Sequence, residues 1–465
     1  MSDTRTEGVR TLLGDPKKAI IKLSIPMIIA MLVQTAYNLF DAIWVSGLGA
    51  DALAAVGFVF PIFFMVLGMS VGLGVGAGSA ISRRIGANDK EGADSVAVHS
   101  LVLLVIISTV LTIPLFVFAP QIFEAIGAGR TTGLAVDYSR ALFIGNIILF
   151  FSNVANNILR AEGDAKRAMW VLVIGSVLNI FLDPIFIYTF DMGIAGAAWA
   201  TVLSFSVSAG MMLYWFLHKK DSYVSFRFKG FRFDRAIIKD ILQVGLPASV
   251  QQFSMSLTAF IMNLIILMVS DTDGVAIYST GWRVISIAIV PLIGIASSVT
   301  PLTGAAFGAK QYPKIRVTHE YAIRIGLVIE VLIAGSIYLF APQITSVFTL
   351  SSDAARIGDD LIVFLQIASL FCPGVAWGMM SSSTFQGVGK GMNALAATIL
   401  RTIVLTSLLA YLFGVVLGYG LEGIWWGLVL ANLTGSLVVY TWARAFITCL
   451  IDGRCQRGAK DAVVE

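Results

Sequence analysis

Charge is what this 465-residue sequence has least of: 13% of its residues are Asp, Glu, Lys or Arg, against 57% that are hydrophobic. So few charges cannot cover a water-soluble surface. A mean hydropathy of +0.85 points the same way, excludes soluble globular domains and places the chain in a membrane. Histidine is nearly missing as well. His99, His218 and His319 are scattered and form no ligand cluster. With no paired nucleophile and base and no metal motif, nothing supports an intramembrane enzyme or a cofactor. Of the three cysteines, Cys372 lies in an apolar run and Cys449 and Cys455 lie near the tail. Their spacing fits neither a metal site nor an even-numbered framework, so no disulfide is expected. The first 22 residues are polar and the apolar run after them is long enough to stay in a bilayer, so no cleavable signal peptide is read. The net charge of +4 matters only through its location, and no nucleic-acid partner is implied.

What is abundant is apolar sequence and glycine. The 44 glycines suit helices whose backbones pack closely in a membrane. A hydrocarbon core of about 30 Å needs about 20 apolar residues per helix. Twelve such segments are predicted, near residues 20–45, 52–81, 95–118, 136–159, 168–189, 193–217, 241–268, 275–306, 317–340, 358–385, 393–415 and 421–448. With both termini on the cytoplasmic side, 26 of the 32 Lys and Arg residues fall inside. Three fall outside (Arg130, Arg140, Arg356) and three lie within segments (Arg283, Arg324, Arg401). Dropping one segment would scramble that bias.

The two halves repeat. "APQI" occurs at 119–122 and 341–344, "IGA" at 85–87 matches "FGA" at 307–309, Pro26 matches Pro247, and "GIAGAAW" from 193 matches "GLEGIWW" from 420. Six segments per copy is an even number, so both copies cross the membrane the same way round. The expected fold class is an all-α membrane protein of two six-helix bundles related by a pseudo-two-fold axis along the membrane normal, with a central cavity between the lobes. The expected division is an N-terminal lobe over 1–218, a linker over 219–240 and a C-terminal lobe over 241–465. The linker's alternating Phe and Lys/Arg either contacts lipid headgroups or simply connects the lobes.

Acids inside the segments are few: Asp41, Asp183 and Glu330. An intramembrane acid costs about 2.5–3.5 kcal/mol at a helix centre and is a functional candidate by default. Asp41, five residues before Ser46, and Asp183, eight before Asp191, both fall about 8–12 Å inside the same boundary. Tyr37 is at i−4 from Asp41 and Asn179 at i−4 from Asp183, so each acid shares a helix face with a polar partner. Thr201 falls at the same depth. Two carboxylates, an amide oxygen and a hydroxyl form an oxygen set suited to a hard cation such as Na+. Without a metal, two adjacent carboxylates resist double ionisation and hold a proton. Either way the set reads as a coupling-ion site.

Pro26 favours a kink in the first segment, either as a static bend or as a hinge. Asn153, Asn156 and Asn157 line a cavity floor or cap a helix end. Met27, Met31, Gln34 and Met255 are further candidates for contact with substrate, since flexible methionines suit promiscuous pockets. Arg283 and Glu330 share a mid-membrane depth and are expected to form a structural ion pair. The seventh segment carries Gln251, Gln252, Met262 and Asn263 but no acid, so ion coupling is expected to be asymmetric between the lobes.

In order along the chain, "LSIPMIIAMLVQTAYNLFDAIWVSGLG", "SRRIGANDKEGAD", "ILRAEGDAKRAM" and "GSVLNIFLDPIFIY" closely resemble the multidrug and toxic compound extrusion (MATE) transporters. The likeness is to archaeal members of the branch related to the DNA-damage-inducible efflux protein, and it spans nearly the whole chain. The resemblance implies secondary active efflux of amphipathic, often cationic organic compounds in exchange for H+ or Na+. It puts the family's coupling residues on Asp41, Asn179, Asp183, Thr201 and Tyr37, and links a bend of the first helix near Pro26 to protonation. Small organic substrates and membrane lipids are the implied partners, the protein is expected to be a monomer, and the plasma membrane is its implied location. The alternative is a lipid-linked oligosaccharide flippase of the same superfamily. That function would call for several cavity-facing cations, and the intramembrane cations Arg283, Arg324 and Arg401 lie at scattered depths with none of them in the first two segments.

Overall fold

The structure is a computed structural model that describes residues 6–219, 222–226, 231–349 and 355–454. Among them every regular element is a helix. The first half comprises α1 (Glu7–Leu13), α2 (Pro16–Ser46), α3 (Ala50–Gly86), α4 (Lys90–Val117), α5 (Ala119–Ala125), α6 (Thr132–Ile144), α7 (Asn146–Ala161), α8 (Ala165–Pro184) and α9 (Gly193–His218). The second comprises α10 (Arg235–Leu267), α11 (Thr272–Ala288), α12 (Val290–Gly308), α13 (Tyr312–Leu339), α14 (Ala341–Phe348), α15 (Gly358–Ser369), α16 (Phe371–Gly387), α17 (Gly391–Thr398), α18 (Thr406–Tyr411) and α19 (Gly420–Ile451). Ten of the described helices or helix runs are long and apolar enough to cross a bilayer, and there are twelve when each bent pair counts as one span.

The bends fall where the sequence showed only continuous apolar runs. The fourth span is α6 and α7, meeting at 48°, and the tenth is α15 and α16, meeting at 42°. The eighth predicted segment divides into α11 and α12. Pro291 and Pro373 lack the N–H that would bond Ile287 and Ser369 four residues back, so the helical ladder fails there. Pro26, by contrast, lies inside α2 without interrupting it.

The internal repeat is visible element by element. Both copies of "APQI" open a short helix, α5 and α14. After α3 and α12 the chain turns through positive φ at Asn88 (62°) and Lys310 (56°), and α9 and α19 each start on a positive-φ glycine, Gly193 and Gly420. At the first of these turns Arg84 and the Gly92 amide hold the Asp89 carboxyl below the usual carboxylate range.

The chain divides into two compact units, Met1–Asp15 with Ile25–Ser249 and Pro16–Ser24 with Val250–Glu465. The division therefore passes through α2 and α10 and not through the expected linker. Close helix packing accounts for it in the first unit: a Cβ on Gly72 would lie 2.5 Å from the Gly245 carbonyl oxygen, and one on Gly76 would lie 2.3 Å from that of Ile241. The start of α10 is thereby locked to α3, and Arg83 pairs with Asp240 at 2.6 Å.

The described part of the linker is docked onto the first unit. Asp94 accepts from the Ser225 amide at 2.8 Å, and the buried His99 accepts from the Asp234 amide at 2.9 Å. Phe231 and Phe233 pack on the His99 ring, 4.8 and 6.3 Å between centroids, and Phe226 packs on Phe216. Phe226 and Phe231 are half-buried against protein and Phe233 is exposed; Arg227, Phe228 and Lys229 lie outside the described residues. One expectation is corrected at the tail. Cys449 is disulfide-bonded, while Cys372 is free and buried. Gly453 has a positive φ (73°) just past α19. Cys455 lies outside the described residues.

Candidate functional site

The polar site of the first unit is assembled by α2, α6, α8 and α9. Pro184 deprives α8 of one ladder bond, and the chain continues as a single π-helical turn over Ile185–Thr189, closed by Phe190 N–H to the Ile185 carbonyl at 2.9 Å. The start of α9 then packs against this turn so closely that a Cβ on Gly196 would sit 2.6 Å from the Phe186 carbonyl oxygen. Asp183, at the end of α8, is fully buried.

Asp41 and Asp183 are in side-chain hydrogen-bond contact. Two carboxylates cannot make that contact when both are ionised, so the arrangement requires a shared proton or a cation. Asn179 is 3% exposed. With its amide oriented so that both ends are satisfied, it donates to Asp183 Oδ2 at 2.9 Å and accepts from the Thr201 amide at 3.1 Å. The Thr201 hydroxyl has one proton and two acceptors in reach, the Asn179 oxygen at 3.2 Å and the Ala197 carbonyl at 3.1 Å. Tyr37 lies within electrostatic range of Asp41 and Asp183. All five residues read from depth and helix face thus come together.

Tyr138 of α6 was missed. It is 8% exposed, and its hydroxyl lies within electrostatic range of both Asp41 and Asp183. Depth matching applied to α6 would have found it, six residues from the helix start. Val45, Tyr138, Ile187, Ile194, Ala197 and Ala198, on the same helices or the π-helical turn between them, belong to one apolar cluster. Among the described residues no three His, Cys, Asp or Glu side chains gather as a metal cluster. A sodium ion here would therefore draw on the Asn179 amide and Thr201 hydroxyl oxygens as well as the two carboxylates.

Several other candidates fall elsewhere. Asn156 is buried and donates to the Ala168 carbonyl at 2.9 Å, tying α7 to α8. Asn157 is buried against Gly74, donates to the Asn153 carbonyl at 2.8 Å and accepts from Arg160. Both amides are spent on packing and do not line a cavity floor; Asn153 is half-buried and donates to the Leu149 carbonyl. Met27 is 1% exposed, which removes it as an open contact surface, whereas Met31 and Gln34 are half-buried and Met255 is exposed. The expected Arg283–Glu330 ion pair is absent: Arg283 is exposed on α11, and Glu330 is fully buried with neither carboxyl oxygen hydrogen-bonded. The two share a depth but not a face.

Comparison with known proteins gives a consistent result. The family model described as MatE matches residues 26–185 and 247–412. The multidrug export protein MepA of Staphylococcus aureus is 27% identical over 434 residues, covering 91% of this chain and 93% of that protein. MepA of Staphylococcus saprophyticus is likewise 27% identical, over 440 residues with the same coverage. Among solved structures, an outward-facing multidrug resistance MATE family transporter of the MOP superfamily is 47% identical with a TM-score of 0.94, covering 96% of this chain and 99% of that one. A MATE protein in complex with MaL6 is 47% identical with a TM-score of 0.93, covering 96% and 100%. A MOP superfamily transporter from Pyrococcus furiosus, described as having a binding pocket of reverse polarity that suggests a different function, is 47% identical with a TM-score of 0.92, covering 96% and 99%.

Proposed function

We propose, starting from the fact that this chain belongs to the MatE family of transporters, that its multidrug efflux is driven by a cation exchanged at Asp41 and Asp183. The protein is a multi-pass membrane transporter and not an enzyme. The observation that carries the coupling proposal is the hydrogen-bond contact between two intramembrane carboxyl groups, with the Asn179 amide 2.9 Å from one of them.

The chemistry follows from the donor set. With one proton between the acids, Asn179 and Thr201 complete the hydrogen bonding and the site carries a single negative charge. A second proton neutralises it; a sodium ion does the same while drawing on the amide and hydroxyl oxygens. Removing the ion restores a charge that the buried site tolerates poorly, so loading from one side and unloading to the other lets an ion gradient drive export by alternating access.

The substrates under this reading are amphipathic, often cationic organic compounds. Structures of relatives with bound organic ligands such as MaL6 and Br-NRF support that class. The likeness to the Pyrococcus furiosus protein supports the archaeal-type branch, and the distribution of Lys and Arg supports a plasma-membrane protein with both termini cytoplasmic. The reverse pocket polarity attributed to that relative keeps the flippase reading worth testing beside efflux.

The test is transport in proteoliposomes with a fluorescent cationic dye, applying a proton gradient and a sodium gradient separately. At least one gradient should drive dye movement, and Asp41→Asn should abolish the coupling. Full gradient-driven activity in Asp41→Asn would sink the site assignment. Failure to move any dye, together with movement of a lipid-linked oligosaccharide, would favour the flippase.

A further inference from the structure

The second unit contains a buried acid that the coupling site does not use. Glu330 lies eighteen residues past the start of α13 and nine before its end, about 27 Å and 14 Å along the helix axis. Its side chain is 0% exposed, and neither carboxyl oxygen has a hydrogen-bond partner. It belongs to the buried stripe that includes Ala322, Gly326, Ala334 and Ile337. One turn earlier on the same face, a Cβ on Gly326 would lie 2.7 Å from Leu292 Cδ2 and 3.5 Å from Ala376 Cβ. That spacing presses the Glu330 face of α13 between α12 and α16.

Nothing on the surrounding helices neutralises the acid. α12 and α14 carry no titratable side chain, and α16 carries only the Cys372 thiol, which lies within electrostatic range of Glu330. α15 contributes Asp359 and Asp360 in an exposed first turn. α19 contributes Glu422 at its start, Tyr440 stacked on His319, and Arg444. On α11, Tyr278 is buried among aromatic rings, Asp273 pairs with Arg356, and Arg283 is exposed. Within α13 the cations Arg316 and Arg324 are exposed, and Arg316 pairs with Glu320.

An ionised carboxylate with no cation and no hydrogen bond is the least tolerable form in an apolar interior, and the neutral acid is the form such packing accepts. A metal ion would need several further oxygen ligands, and neither carboxyl oxygen has a hydrogen-bonding group beside it. We propose that Glu330 is a second proton-binding site of this transporter, loaded in the packed second unit and separate from the Asp41–Asp183 pair. Unloading it requires α12, α13 and α16 to part far enough to admit water, so its protonation reports the packing of that unit.

The experiment is infrared spectroscopy of the full-length protein in lipid nanodiscs, reading the C=O stretch of neutral carboxylic acids in neutral buffer. The wild type should show a band that Glu330→Gln lacks and that the Asp41→Asn/Asp183→Asn double variant keeps. Proton binding per chain should fall by one in Glu330→Gln. An unchanged band in Glu330→Gln overturns the proposal. If that variant does not fold, Glu330→Asp keeps the acid in an altered position; a displaced band supports the site and an unmoved one overturns it. Dye transport that survives Asp41→Asn would refute the first-unit coupling site while leaving the Glu330 band to be judged on its own.

Discussion

Replacing Glu162 by Gln should remove a pH dependence from the docking of the linker. Glu162 follows α7 and is 2% exposed, and its Oε2 accepts the Tyr223 and Val224 amides, each at 3.0 Å. The α1 helix approaches from the other side, where a Cβ on Gly8 would fall 2.5 Å from the Glu162 carbonyl oxygen. Burial pushes the carboxyl up to about 8 from its ordinary 4.5, against the pull of the two amides and of Arg167. The docked state therefore keeps a proton that the released, solvated state gives up. Docking is strongest below about pH 4.5 and weakens as the pH rises to about 8, beyond which the loss is complete. At ~1.4 kcal/mol per pH unit the full effect is on the order of 5 kcal/mol. Amide deuterium exchange over residues 222–225, corrected for the base-catalysed intrinsic rate, reads this release directly because it reports local opening. Protection should fall with pH in the wild type and stay level in Glu162→Gln. Equal slopes in the two proteins would refute the reasoning.

Tyr37→Phe removes a hydroxyl that stands within electrostatic range of both acids; a loss of about 1 kcal/mol there should weaken ion-coupled dye export about fivefold at subsaturating ion concentration. Gly196→Val forces a side chain against the Phe186 carbonyl at the π-helical turn and should cost about 1–3 kcal/mol, seen as a lower thermal midpoint in detergent. Asn156→Leu removes the side-chain donor that ties α7 to the Ala168 carbonyl, whose own helical bond remains, and should destabilise by about 0.5–1.5 kcal/mol, with dye affinity per folded molecule unchanged. A shifted affinity at unchanged melting would return Asn156 to the substrate path.

How far the sequence could be read depends on which coordinate of a membrane helix is asked for. Depth along the axis is legible, because charged ends and breaks mark where each span begins, and a count of residues then places Asp41, Asp183 and Thr201 at one level. The angle around the axis is set by neighbouring helices, and a near-uniform apolar sequence hardly records it. It was recovered only where a second polar residue stood at i−4. Tyr37 below Asp41 and Asn179 below Asp183 each single out a face, and these faces do meet. Glu330 has Gly326 and Ala334 at those positions, so depth alone joined it to Arg283, which points another way. Tyr138 has Leu134 and Leu142 at i−4 and i+4, so no second polar residue singled out its face. Asn156 and Asn157 misled because a neighbouring backbone carbonyl that captures an amide leaves no mark in composition. The breaks at Gly145, Ile289 and Leu370 were hidden because apolar residues continue through them, although Pro291 and Pro373 carried the signal for two of the three. An acid flanked by polar residues one turn away thus announces a shared site, whereas an acid flanked by Gly and Ala announces a tight helix contact. On that criterion Glu330 reads as a solitary proton carrier and not as half of a pair.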